Sequence, residues 1–553
     1  MARPLHAGPA ADRGEVFTRP WVADLILDLI GYTPERDLGQ HVLVEPSCGA
    51  AAFLVPVVQR LAASCRAHGR DIRDLGSAVR ALDLHSGNAE LSRKEVVAEL
   101  CIQGVAVPDA EDLAKAWVKE GDFLLADLGS CAADFVVGNP PYVRLEDVPR
   151  QLMATYRAAW PTMRGRADLY VGFIERGLDL LAAGGRLGFI CADRWMHNQY
   201  GAALRTLVAE RFGVETVVTM HDVDAFESDV AAYPAVVVIR NEQPTRTALA
   251  EAGPRFDGPA SRKLVSWIGS GRASVRTPSF TGVLADEWFR GGDLWPATSP
   301  AAHAALTELE RRFGPLEDAA SGTRVGIGIA SGCDDVYLTR RDDLVEADRL
   351  LPLARSADVA TGYLRSDGTY LVNPWDDRGL VDLRQYPRLH GYLVAHEARL
   401  RSRYVGRRRP AQWYRTIDRV HPGLAGRAKL LLPDMKAATH PVLDEGGASG
   451  RYPHHNLYHV TSTTWDLEVL GGLLLSDYVN LFVGAYCVKM RGGCYRFQAQ
   501  YLRRIRVPPG ESLTAGQRRS LAAAFRQRDR ERATGVAWQL YGVALPSSSG
   551  RRR

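Results

Sequence analysis

Four consecutive residues, Asn139-Pro140-Pro141-Tyr142, directly follow the apolar run Asp134-Phe135-Val136-Val137-Gly138. A buried strand that ends in such a turn suits transfer of a methyl group to a planar amine. The Asn139 side-chain oxygen and the Pro140 carbonyl can both accept hydrogen bonds from one –NH2 group. Pro140 and Pro141 fix φ and remove backbone donors, so the turn is stiff and its carbonyls stay available. The Tyr142 ring can lie on the face of a planar base. Taken alone, the four residues also read as a Pro-rich surface turn, so the weight falls on their surroundings.

Acids recur at the ends of other apolar runs. Val42-Leu43-Val44-Glu45 leads into the small-residue turn Pro46-Ser47-Cys48-Gly49-Ala50-Ala51-Ala52. A strand, a small-residue turn and a helix let backbone approach a ligand at the carboxyl edge of a sheet. No Gly-Lys-Ser/Thr follows, which excludes a phosphate loop, and an acid at the strand end suits a cationic ammonium. Asp83 closes the next run, where it can accept from ribose hydroxyls. In Gly121-Asp122-Phe123, Asp122 can accept from an adenine amino group and Phe123 can cover the ring. The order Glu45, Asp83, Asp122, Asn139 describes a site for an adenosine-bearing cofactor beside the amine-binding turn.

The elements that must position these residues follow an α/β pattern from about residue 16 to Arg240. Strands are predicted at Val42–Glu45, Val79–Leu84, Phe135–Val137, Arg186–Cys191, Val214–Met220 and Ala235–Ile239. Helical spacing covers Ala52–His68 and Leu169–Leu181, with Gly184-Gly185 as the expected helix stop. Residues 246–300, rich in Pro, Gly, Ser, Thr and Arg, read as a linker or the loose opening of a second domain over 301–510. A charged helical segment is expected at 511–545 and a frayed tail at 546–553.

A chain of 553 residues exceeds one compact core. Its 46% hydrophobic and 24% charged content is that of an ordinary globular protein, and its net charge of +5 is compatible with a nucleic-acid partner. The eight cysteines are scattered without a C-x-x-C pair, which argues against a zinc ribbon or disulfide framework. With no signal-type apolar core at the N-terminus and no run of membrane-spanning length, the expectation is a cytoplasmic protein without a membrane partner.

In sequence order, Gly14-Glu15-Val16-Phe17-Thr18-Arg19-Pro20, Glu45-Pro46-Ser47-Cys48-Gly49, Asp83, Gly121-Asp122-Phe123, Asn139-Pro140-Pro141-Tyr142 and Asp168-Leu169-Tyr170 through Phe189-Ile190 resemble the gamma-class, TaqI-type N6-adenine DNA methyltransferases. The resemblance spans residues 14–240. It implies a Rossmann-like class I methyltransferase sheet with helices on both faces in a catalytic domain over 1–245, plus a mixed α+β C-terminal target-recognition domain. It further implies S-adenosylmethionine as cofactor and double-stranded DNA as partner. A cognate restriction endonuclease or another defence subunit is a possible companion. Thr18 and the Phe17 backbone would touch the methionine part of the cofactor, and Glu45, Pro46 and the Cys48-Gly49-Ala50 backbone would line the same pocket. Asp83 would take the ribose, Asp122 and Phe123 the adenine, and Asn139 would face both cofactor and target. The target adenine would be flipped from the duplex and held between Tyr142 and Phe226. One departure is Ala51, where the family usually has glycine; if φ is positive there, Ala costs about 1 kcal/mol.

In the second half, Thr323–Gly332, Arg427–Pro433 and Tyr501–Pro509 resemble landmarks of the TaqI-type recognition domain. Between them, Arg399, Arg401, Arg403, Arg407, Arg408 and Arg409 form a basic run without an acid, followed by Arg415. Arginine at this density suits phosphates and guanine edges. His454-His455-Asn456 reads as a polar loop, and no metal site is expected. Two other functions fit the same motifs: methylation of RNA or a protein glutamine amide, and a catalytically weak DNA-binding defence subunit.

Overall fold

The computed structural model describes residues 17–545 apart from 130–131, 144–146, 228–232, 244–245, 287, 290, 297–299, 366 and 490–493. Gly14-Glu15-Val16 and the 546–553 tail lie outside the described residues. The chain divides into two units, Met1–His303 and Ala304–Arg553.

The first unit is built on one large sheet. Helix α1 (Pro20–Ile30) precedes β1 (Leu43–Glu45), α2 (Leu54–His68), β2 (Val79–Asp83), α3 (Ser86–Ile102), α4 (Val107–Trp117), β3 (Val118–Glu120) and β4 (Ala133–Gly138). Next come α5 (Arg150–Ala159), α6 (Tyr170–Asp179), β5 (Leu181–Ala192), α7 (Arg194–His197), α8 (Ala202–Arg211), β6 (Gly213–Thr219) and β7 (Pro234–Arg240). The strand order is β3-β2-β1-β4-β5-β7-β6, and three further strands extend it. β1 through β5 pair in parallel, while β7 is antiparallel to both β5 and β6. The direction of strand succession therefore reverses between β1 and β4. That reversal opens the crevice in which ligands bind in open α/β sheets.

Period-two alternation distributes the strand residues between two cores. Leu43, Phe135, Val137 and Ile190 pack with α1 and α2 on one face. Val44, Val136, Leu187 and Phe189 pack with α5 and α6 on the other. This is the α/β layering with helices on both faces that the sequence implies. Gly188 sets the closeness of α1, because a Cβ there would meet Ile30 Cγ2 at 2.5 Å and Ile26 Cγ2 at 2.9 Å.

Two expectations change. Residues 247–285, whose composition reads as linker, form β8 (Thr247–Ala252), α9 (Gly258–Ser270), β9 (Ser274–Arg276) and β10 (Phe280–Ala285). They continue the sheet beyond β6 as β8-β10-β9. Their inward residues are small: Ala248, Ala250 and Ala252 fill the core beside α9. Alanine carries little strand signal, so the alternation is muted in the sequence. Gly184-Gly185 does not stop a helix either. Helix α6 ends at Asp179, and the glycines form a bulge inside β5, where the register to β4 jumps from Ala133↔Leu181 to Phe135↔Arg186. Gly184 adopts φ 75°, and a Cβ on Gly185 would sit 2.8 Å from the Ala133 carbonyl oxygen.

The second unit is mixed α+β. Arg324–Ile327, Leu457–Thr461, Lys429–Pro433 and Val442–Asp444 form one four-stranded antiparallel sheet in that order. Two of the three sequence landmarks are thus strands paired to a common neighbour, Leu457–Thr461. The third supplies Arg506–Val507, which pairs with Gly314–Pro315. The Lys429 ammonium is fully buried, 2.8 Å from Asp444, and donates to the Leu424, Ala425 and Arg427 carbonyls. The expected C-terminal helical segment is a pair, Ala515–Gln527 and Arg530–Tyr541, packed on Leu467–Leu475. Among the described residues no single helix is long and apolar enough to cross a membrane, and the seven described cysteines are free.

Candidate active site

The carboxyl ends of β1 and β4 place the small-residue turn and Asn139-Pro140-Pro141-Tyr142 side by side. Gly138, the last residue of β4, has φ 155°, a conformation that favours glycine, and a Cβ there would reach Pro46 Cδ at 3.6 Å and Glu45 Cγ at 3.8 Å. Ser47 Oγ donates to the Asn139 carbonyl at 3.1 Å, tying the two turns together. Asn139 Nδ2 donates to Thr18 Oγ1 at 3.1 Å, which fixes the amide plane with its oxygen on the opposite side. Thr18 in turn bridges Phe226, and Glu227 N donates to the Phe17 carbonyl at 3.0 Å. One short segment, 17–19, thereby links the Asn139–Tyr142 turn to the loop carrying the second expected stacking ring.

Glu45 is 1% exposed. Burial, reinforced by nearby Asp83, pushes its carboxyl well above the usual carboxylate range. Among the described residues its Oε2 has no hydrogen-bond partner. A buried acid held in this way is matched by a ligand that brings positive charge. Asp83 is also raised by burial, although three donors oppose the shift. Its Oδ2 accepts from Gly49 N at 2.9 Å, and its Oδ1 from His85 N at 2.9 Å and Asn88 Nδ2 at 3.2 Å. Asp83 therefore braces the 48–51 turn as well as facing the pocket edge.

Within that turn Gly49 has φ 51° and Ala51 has φ 65°. The left-handed conformation costs Ala51 about 1–2 kcal/mol. Its methyl is wholly buried, which returns about 0.8 kcal/mol, and alanine is less disordered than glycine when unfolded by about 0.4–1 kcal/mol. The terms cancel closely, which is why the turn keeps its shape without the usual glycine.

Asp122 and Phe123 follow β3 as expected. Tyr156 donates to Asp122 Oδ2 at 2.7 Å, and Leu124 N to Oδ1 at 2.9 Å. The Phe123 ring is 2% exposed and packs on Phe173 with the Arg176 guanidinium 4.9 Å from its centroid. Its ring belongs to the core rather than to an open pocket wall. Tyr142 and Phe226 do meet, with centroids 6.1 Å apart at 81°. A base held between parallel rings needs about 7 Å, so one ring must turn to admit it.

A buried cluster that sequence reasoning missed lies at the same carboxyl edge. Asp193, just past β5, accepts from His221 Nε2 at 2.6 Å, with His197 Nε2 at 3.6 Å. Burial alone would raise its carboxyl, but the hydrogen bonds from His197 and His221 outweigh burial and hold it far below the usual range. Asp193 and Cys191 are the acidic neighbours of Tyr142, whose phenol burial pushes strongly upward. The signal was present: Asp193 and His221 each stand within two residues of the end of a predicted strand, as Glu45 and Asp83 do.

In the second unit the basic run separates by environment. Arg403 turns inward and donates to the Leu400, Ser331, Trp413 and Arg415 carbonyls. Arg415 is half-buried beside the Trp375 ring. Arg399 pairs with Asp335, and Arg401 with Glu397 at 2.6 Å. Arg407, Arg408 and Arg409 are exposed at the end of the Tyr404–Arg408 helix. The seven arginines are not one surface.

Comparison with known proteins places the chain. Residues 92–226 match the family model described as Eco57I restriction-modification methylase. The chain is 45% identical over 539 residues to Type II methyltransferase M.PaeR7I of Pseudomonas aeruginosa, covering 96% of this chain and 92% of that protein. To Type II methyltransferase M.XhoI of Xanthomonas vasicola it is 44% identical, covering 96% and 97%. Its fold is also that of the Type IIL restriction-modification enzyme MmeI solved in complex with DNA, with TM-score 0.58 and 12% identity over 96% of this chain and 74% of that one.

Two stability experiments test the turn and the acid. Ala51→Gly should shift stability by less than about 1 kcal/mol, whereas Ala51→Val, branched at positive φ in a closed site, should lose about 1–3 kcal/mol in a denaturant titration. For Glu45 the raised folded pKa means that its contribution is fully present below the unfolded value of 4.5 and is lost as pH rises through the folded one. Glu45→Gln should therefore melt about 2–4 °C higher than the natural ligand-free chain at pH 8, with the gap closing below about pH 4.5.

Proposed function

This chain belongs to the type II DNA methyltransferases of restriction–modification systems, and from that premise we propose a finer assignment. It transfers a methyl group from S-adenosylmethionine to the N6 amine of an adenine flipped out of double-stranded DNA. It does so as a gamma-class, TaqI-type enzyme of the cytoplasm that works beside a cognate restriction endonuclease or another defence subunit. The observation that carries this reading is the stitching of Asn139 to Ser47 and Thr18 at the sheet's reversal point, beside buried Glu45. An asparagine at the head of the tetrapeptide favours adenine over cytosine by family resemblance. The RNA and glutamine readings lose support because the relatives matched over 92% and 97% of their length are type II methyltransferases and the matching family model is a restriction-modification methylase.

The exocyclic amine of adenine is a poor nucleophile because its lone pair is delocalised into the ring. The Asn139 side-chain oxygen and the Pro140 carbonyl accept its two N–H groups, which draws the nitrogen toward sp3 and turns its lone pair outward. Both acceptors are preorganised, so they stabilise the positive charge that develops on nitrogen without rearranging. Glu45 pairs with the cationic end of the cofactor, and the orphaned Oε2 fits that role. Asp83 takes the ribose through lone pairs not used in bracing the turn, and Asp122 takes the adenine amine. S-adenosylmethionine supplies a methyl already activated on sulfonium, and alignment provides most of the remaining catalysis. Tyr142 and Phe226 hold the flipped base between them once their edge-to-face contact opens. The second unit reads the DNA as target-recognition domain, with Arg407, Arg408 and Arg409 on phosphates.

Incubation with labelled S-adenosylmethionine and plasmid DNA, followed by digestion to nucleosides, should yield N6-methyladenine label. Asn139→Ala should lower transfer by about 100-fold or more while leaving DNA affinity within a few-fold; retained transfer would remove the assigned role. Replacing Arg407, Arg408 and Arg409 together by alanine should weaken binding to all sequences alike and reduce the slope of log affinity against log salt by up to about 3. Arg403→Ala should instead lower the melting temperature, because it strips donors from four buried carbonyls.

A further inference from the structure

The second unit holds a cluster that methyl transfer does not use. Asp334, His454 and His455 bring one ligand atom each to within 4.8 Å of one another. His454 Nε2 lies 3.2 Å from Asp334 Oδ2 and 3.1 Å from His455 Nδ1. The backbone under it is fixed: His454 bridges Ile329 in parallel, its N–H donates to the Ala354 carbonyl at 2.9 Å, and its carbonyl accepts from Leu457 N at 2.8 Å.

Proton accounting shows what the cluster lacks. His454 Nδ1 lies 2.6 Å from Asn456 Oδ1, which can only accept, so Nδ1 carries the hydrogen. In a neutral imidazole, Nε2 then presents a lone pair. That lone pair faces both the Asp334 carboxylate oxygen and His455 Nδ1, in a residue only 5% exposed. A cation among the three atoms satisfies all of them at once. Spacings of 3.1 and 3.2 Å come close to the roughly 3.3 Å separating ligands around a tetrahedral ion with bonds of about 2.0–2.1 Å. The outer partners are also in place, since Asn456 holds the far nitrogen of His454 and Ser331 Oγ donates to the other oxygen of Asp334.

We propose that Asp334, His454 and His455 bind a divalent transition-metal ion of the zinc class, with Asn456 as a positioning residue. Two imidazoles and one carboxylate suit zinc, cobalt or nickel, and disfavour magnesium and calcium, which take oxygen ligands. The Asp334 side chain is 43% exposed and His455 is exposed, so the fourth position opens to water. The ion clasps the 331–334 turn to the 454–456 loop.

The test uses the full chain after chelator treatment and is independent of methyl transfer. Zinc titration by calorimetry should show one equivalent bound at micromolar affinity or tighter, and cobalt should give the visible absorption of a tetrahedral ion. Magnesium should give no heat. His454→Ala and exposed His455→Ala should each abolish the cobalt spectrum, and Asn456→Ala should weaken binding about 10–100-fold. No zinc heat in the natural chain, or an unchanged cobalt spectrum in folded His455→Ala, would overturn the site; the former would mean that a proton on His454 Nε2 bridges the pair instead.

Discussion

Two parallel strands that part company at their carboxyl ends make the first unit possible. β1 and β4 are hydrogen-bonded neighbours, yet the chain leaves β1 toward β2 with α2 on one face and leaves β4 toward β5 with α5 and α6 on the other. Their terminal turns lie side by side at the carboxyl edge, where open α/β sheets bind ligands. Gly138 at φ 155° and the Ser47–Asn139 hydrogen bond hold them in one geometry. Without that joint, a buried acid and a rigid carboxamide would be two unrelated strand ends.

The electrostatics follow from the same joint. Glu45 is dry and raised, Asp83 is raised but spends its oxygens on the turn it braces, and Asp193 is equally dry but held low by histidine donors. Three carboxylates on one edge thus have three distinct tasks set by their partners. Of these, Glu45 is the one with an oxygen, Oε2, that meets no donor among the described residues, so positive charge is wanted there. Ala51 illustrates how tolerant such a site is: a left-handed alanine persists because its methyl is buried where a glycine would contribute nothing.

The second unit shows arginine used in two opposite ways within a dozen residues. Arg403 is a structural donor to four main-chain carbonyls, while Arg407 through Arg409 face solvent. A run of like charges in a sequence looks uniform, yet only backbone geometry separates the arginine that builds the fold from those available to a polyanion. The same holds for His454-His455-Asn456, which reads as a polar loop until Asp334, 120 residues earlier, is brought beside it.

What the sequence determined by itself is local: which runs are strands, which residues stand directly after them, and that a Pro-Pro turn behind a buried strand must be rigid. These depend on periodicity and on φ restrictions, both of which act over a few residues. Hence β1, β2, β4 and the acids at their ends were legible, while the mixed character of the second half followed from the family resemblance. Tertiary structure alone decided which strand ends share an edge, that Asp193 meets His221, that Phe123 faces the core, that Gly184-Gly185 bulges a strand, and that an alanine-rich stretch after Arg240 joins the sheet. Those outcomes rest on pairings between distant segments, where a side chain's partner is chosen by packing and desolvation across the fold and leaves no mark in its neighbours along the chain.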